Sequence, residues 1–215
     1  MTYLELVNKV LTRLREETVS TVSQTTYSAL IGEFVNDAKQ IVEDSWEWSA
    51  LRSTVTVATT ASDYTYSLTN VKDRAAVQTV ANDTSNVFME YRSQDWFEQQ
   101  LNLTGTVSGS PLYYTFNGFD ASKDTQVLVY PIPDGVYSLR FKTVSRGGFL
   151  SDDTDELSIP MLPVVYMATA LAARERGEVA GTSAAELFAV SDKIMSDAIA
   201  LDARRHPEEL VYQVV

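Results

Sequence analysis

Ile41-Val42-Glu43-Asp44-Ser45-Trp46-Glu47-Trp48-Ser49-Ala50-Leu51-Arg52-Ser53-Thr54-Val55-Thr56-Val57 holds the point where the apolar spacing of this chain drops from about 3.6 residues to two. Upstream, Tyr27, Leu30, Ile31, Phe34, Val35, Ala38, Ile41, Val42 and Trp46 recur at i, i+3 and i+4. Glu33, Asp37, Lys39, Glu43 and Asp44 fall opposite them. That pattern predicts an amphipathic helix capped by Thr25 or Thr26, roughly 33 Å long at about 1.5 Å per residue. Before it, Thr2 and Glu5 have the spacing of a capping box, and Leu4, Val7, Leu11 and Leu14 make one stripe. The chain therefore opens with a helix pair joined by a loop at residues 18–23.

Downstream the period stays at two. Val55 and Val57 alternate with threonines, and Tyr64, Tyr66 and Leu68 alternate with Thr65 and Ser67. Strands are also expected at 76–80, 87–91, 112–117, 125–130 and 136–144. Ser93 is placed to cap a short helix carrying Trp96 and Phe97. Asn117-Gly118 is expected to close a strand, and Pro131-Ile132-Pro133-Asp134-Gly135 reads as a hairpin turn.

Helical spacing returns after Ser151. Pro160 and Pro163 are tolerable only in a first turn, where amides have no intrahelical partner, so they predict a helix start, and Gly177 its end. Ser183 to Glu186 has capping-box spacing ahead of a last helix with a stripe of Leu187, Phe188, Ile194, Met195 and Ala198, closed by Pro207. Residues 210–215, Leu-Val-Tyr-Gln-Val-Val, form an apolar, β-prone C-terminal tail that invites association unless covered.

The fold class these signals predict is α+β. A helical bundle is built from the N- and C-terminal helix pairs, residues 1–48 with 151–207. An antiparallel β-sandwich or barrel, 49–150, is inserted between them, and 208–215 is the tail.

Chemistry is sparse. There is no cysteine among the 215 residues, which removes thiolate zinc sites, and the one histidine, His206, falls at the C-terminal end of the expected last helix, where a cation suits the dipole, and is not read as a catalytic base. Asp152-Asp153-Thr154-Asp155-Glu156 lacks the spaced ligands and turn glycine of a calcium loop, and reads as an acidic lead-in to a helix N-terminus. Tyr64, Tyr66, Tyr113, Tyr114 and Trp96 could stack sugars, or simply pack a sheet. No catalytic, cofactor or metal residue is assigned, and the chain is expected not to be an enzyme. Its net charge of −12 disfavours tight binding to a phosphate backbone. The longest apolar stretch, Met161 to Ala173, is too short to span a bilayer, so no membrane partner is expected.

Three stretches together resemble the head-to-tail adaptor of short-tailed bacteriophages, the tail tubular protein A type. These are Leu4 to Glu16 with Tyr27 to Trp48; Val127 to Asp134 running into Tyr137 to Phe141; and Ile159 to Ala173 ending at Glu175-Arg176-Gly177-Glu178. The resemblance implies a structural virion protein, made in the host cytoplasm. It would form a dodecameric homo-oligomeric ring that joins the portal protein to the tail nozzle protein and lines the DNA passage without specific binding. The tail residues Leu210, Val211, Tyr212, Val214 and Val215 would then bind the portal or a neighbouring subunit. The alternative is a carbohydrate-binding or receptor-recognition module using the β-domain aromatics.

Overall fold

In a computed structural model of the chain, residues 1–177 and 182–205 are described. The architecture is mixed α+β. Among the described residues there are five α-helices and two four-stranded sheets, and neither sheet closes into a barrel. The chain divides into two compact units: Met1–Leu51 with Gly147–Val215, and Arg52–Arg146.

The first unit starts with α1 (Tyr3–Arg13), whose capping box is formed. The Glu5 amide donates to Thr2 Oγ1 at 3.3 Å, and the Thr2 amide donates to the Glu5 carboxylate at 3.0 Å. Asp153 and Asp155 meet this same helix start, since their backbone carbonyls accept from the amides of Leu4 and Tyr3. The Asp153 side chain accepts from the Val22 amide, and the Asp155 carboxylate closes its own loop on the Ser151 and Asp152 amides. The acidic run therefore serves the first helix of the chain, rather than the helix that follows it in sequence.

Helix α2 (Thr26–Ser45) is capped by Thr25. Its buried face is turned from the expected one: Ile31, Val35, Ala38 and Val42 are buried as predicted, but Ile41 is exposed, and Lys39 and Glu43 lie inside. The cause is the strand of backbone returning at 147–150. Lys39 Nζ donates to the Gly148 carbonyl at 2.8 Å and pairs with Glu43 at 2.7 Å. Asn36 exchanges two hydrogen bonds with the backbone of Leu150. Polar side chains can occupy this face because the incoming chain supplies partners for them.

Helix α4 (Met161–Glu175) is preceded by Pro160, holds Pro163 in its first turn and ends at Gly177, where φ is +57°. Ala168, Ala170, Ala172 and Ala173 are buried, and α4 contacts α1, α2 and α5 (Thr182–Ala203). Arg176, one of the residues that carried the resemblance, lies over the Tyr27 ring and pairs with Glu16, tying the end of α4 to the loop after α1. The expected capping box at Ser183 involves side chains outside the described residues.

In the second unit the chain runs β1 (Arg52–Ala58), β2 (Thr65–Leu68), β3 (Ala76–Asn82), β4 (Val87–Phe88), β5 (Glu90–Tyr91), α3 (Gln94–Glu98), β6 (Tyr113–Phe119), β7 (Thr125–Tyr130) and β8 (Ser138–Val144). One sheet has the order β1-β8-β3-β4 and the other β2-β7-β6-β5. Leu68, Tyr114, Val127 and Val129 of one sheet share a core with Val80, Leu139 and Phe141 of the other.

Several expectations change here. The run 87–91 is two strands in different sheets, because buried Met89 breaks it. Pro131 to Gly135 is not a hairpin: β7 and β8 belong to opposite sheets, and the segment carries the chain between them, beginning with a cis Tyr130–Pro131 bond. Asn117-Gly118 does not end its strand. Gly118 takes φ +77° at a register shift, where its missing Cβ permits a bulge, and β6 continues to Phe119. The unit is also not wholly antiparallel, since β5 pairs β6 in parallel.

Candidate assembly surface

A groove of about 630 Å³ opens in the first unit. Its walls come from the turn after α2, the start of α4 and the last turns of α5, and include Trp48, Ile159, Leu162, Ile194 and Leu201. Leu162 is 48% exposed and Leu201 64% exposed, so the groove presents apolar surface to solvent. Arg205, the last described residue, stands in its wall.

Why these elements hold together is a question about Asp202. This carboxylate accepts from Trp46 Nε1 at 3.1 Å, from the Ser49 amide at 2.9 Å and from the Ser49 hydroxyl at 2.7 Å. Trp48 then turns inward, 1% exposed, with its indole donating to the Val42 carbonyl at 2.7 Å. The Trp-Glu-Trp turn is thus pinned at both tryptophans, one onto α5 and one onto α2. Burial pushes the Asp202 carboxyl up, but the Ser49 and Trp46 donors outweigh it and leave the group below its usual range.

Asp202→Ala strands three donors, and a loss of about 2–3 kcal/mol is expected in urea unfolding at neutral pH. A lowered folded value means that the contribution is present above the ordinary value of 3.8 and disappears as pH falls through the folded one. The gap between the native chain and Asp202→Ala should therefore narrow below pH 3.8.

Leu210, Val211, Tyr212, Val214 and Val215, the residues expected to bind a partner, lie outside the described residues, as does His206. Sequence reasoning missed the groove. Its signal was Leu201, at i+7 from Ile194, which extends the predicted Ile194 and Ala198 stripe along α5.

The aromatics of the second unit do not make one platform. Tyr66 and Tyr114 are core residues, each 8% exposed. Trp96 packs edge-on against Phe97, Tyr113 and Tyr130, and Arg92 lies over Tyr113 at 5.1 Å. Rings in edge contact with one another are packing for α3 on the sheet. No helix among the described residues is long and apolar enough to cross a membrane.

The family model described as SU10 adaptor protein matches residues 1–209, taking in the terminal helices and the whole strand region together. No curated protein matches the chain.

Proposed function

The chain belongs to the SU10 adaptor protein family, a family of structural phage adaptors rather than enzymes, and from that premise we propose that it is the subunit of a ring joining the portal to the tail nozzle. The observation that carries this reading is a family match running from residue 1 to residue 209, through both helical ends and the strands between. In this reading the terminal helix pairs form a bundle that builds the ring wall, and the two sheets form a sandwich that faces outward or toward the nozzle. Twelve copies would close the ring, as in the short-tailed phage adaptors that the sequence resembles.

Two features of the subunit support assembly. Val190 is 44% exposed and Leu201 64% exposed on α5, where Ser191, Met195 and Asp202 are the buried residues among the described side chains, so much of that described surface is free for another copy. A net charge of −12 suits a passage that DNA slides through, since acidic groups repel phosphate. The apolar segment Leu210 to Val215 is read as the portal-binding element.

Mixing the purified chain with the portal ring tests the proposal. Ring-shaped complexes of portal and adaptor are expected by negative-stain microscopy. Deleting residues 210–215 should leave the melting temperature within about 2 °C, while weakening attachment by at least about tenfold. A portal that never retains the full chain overturns the reading.

A further inference from the structure

Each of the two sheets in the strand unit leaves two edges, and three of these are short: β2 has four residues, and β4 and β5 have two each. The fourth is β1, with seven residues and about 24 Å of extended chain. We propose that in the free subunit the outer edge of β1 pairs antiparallel with β1 of a second copy, across a two-fold axis. The pairing concerns the subunit before assembly and does not rest on the adaptor reading.

The ladder shows which backbone groups face outward. The Thr59 amide donates to the Tyr137 carbonyl, whereas the Ser138 carbonyl accepts from Asp83 on the opposite side of β8. Bonding alternates along an antiparallel strand, so Ser53, Val55 and Val57 bond β8, while Thr54, Thr56 and Ala58 turn their amides and carbonyls away from it. Among the described residues those outward groups have no hydrogen-bond partner, because β8 is the only neighbour of β1 in its sheet and no other backbone bond reaches them. Open edges are ordinarily guarded by a charge, a proline or a bulge. Ser53 to Ala58 contains neither charge nor proline, and β1 runs against β8 without a register shift, unlike β3 with β8 or β6 with β7.

A second β1 fits this edge better than any other strand of the unit. Laid antiparallel on itself about Val55, the strand overlaps along its whole length. Val55 then meets Val55, and the outward groups of Thr54 in one copy bond those of Thr56 in the other, twice over. Val55 and Val57, half-buried against the core, gain apolar neighbours, and the threonines pair on the outer face. No like charges meet between Ser53 and Ala58, although the chain carries a net charge of −12. A join to β4 would leave most of β1 bare and run on from copy to copy, whereas a two-fold pair uses each β1 once and closes. In a ring built of one-way contacts the pair has no place, so it parts on assembly.

Sedimentation of the full chain from micromolar to millimolar concentration tests the pairing. A monomer that passes to a dimer and no further is expected. In Thr56→Pro the lost amide bonds nothing within the subunit, and an edge position of that kind tolerates proline. The variant should keep the native circular dichroism spectrum and stay monomeric at concentrations where the native chain is paired. A native chain that remains monomeric, a mass that climbs past two copies, or a proline variant that pairs as tightly as the native chain overturns the proposal.

The absence of cysteine allows a second measurement that needs no proline. Thr54→Cys and Thr56→Cys chains are mixed in equal amounts and oxidised mildly. Residues directly opposed across the new ladder stand about 5.5 Å apart at their α-carbons, within disulfide reach, whereas the diagonal approach of two identical variants lies outside it. The crossed product is expected to form at least about tenfold faster than either self-product. A statistical mixture of the three overturns the pairing. Either failure leaves portal attachment by the full chain untouched, so this inference and the adaptor reading fail separately.

Discussion

Replacing Lys39 with alanine should cost about 3–5 kcal/mol of unfolding free energy, the magnitude expected when one member of a buried ion pair is removed. Lys39 and Glu43 have side-chain exposures of 6% and 1% and are 2.7 Å apart. The ammonium also donates to the carbonyl of Gly148 at 2.8 Å. Without it, the Glu43 carboxylate keeps its desolvation cost and loses the ammonium beside it, while the returning segment 147–150 loses a tie to α2. Urea unfolding monitored by helical circular dichroism measures the change. The discriminating companion is the double variant Lys39→Met with Glu43→Leu. Because hydrophobic replacements of similar size remove both charges together, it should recover most of the loss. A single variant that costs under about 1 kcal/mol would show that the pair is solvated in solution.

The second large effect belongs to the strand unit. Phe141→Ala should destabilise it by about 3–5 kcal/mol through lost burial and the cavity left behind. Phe141 is fully buried at the middle of β8, with Val55 and Val80 as its register partners on either side. The Tyr114 ring of the other sheet meets it edge-on at 6.5 Å. One side chain thus stands between the two neighbouring strands of its own sheet and against the core of the second. Hydrogen exchange of the β3 and β8 amides reads the change locally, which avoids assuming that the whole chain unfolds in one step. Phe119→Ala is the contrast. That ring is 52% exposed, and a change within about 0.5 kcal/mol is expected.

How far the sequence disclosed this molecule can be judged from particular elements. The helices were legible because their spacing and ends agree: Thr2 and Thr25 cap where expected, and the prolines at 160 and 163 fall where amides need no partner. Strand positions were legible from alternation, β7 residue for residue. Which sheet a strand joins was not. Alternation reports two faces and says nothing of the partner, so β7 and β8 read as a hairpin although Pro131 to Gly135 separates them into different sheets. The burial of Lys39 and Glu43 was illegible for a related reason: the carbonyls that accept from Lys39 belong to Gly147 and Gly148, more than a hundred residues away. The groove depends on three separate segments meeting, which the linear pattern of any one of them does not report.

The register of β1 with β8 has a larger consequence. Arg52 is the direct partner of Val144, so the stretch of chain between them begins and finishes one ladder rung apart, about 5 Å between α-carbons. A cassette with adjoining ends can be spliced into a helical host, or cut out and bridged by a few residues, without dragging either flank from its place.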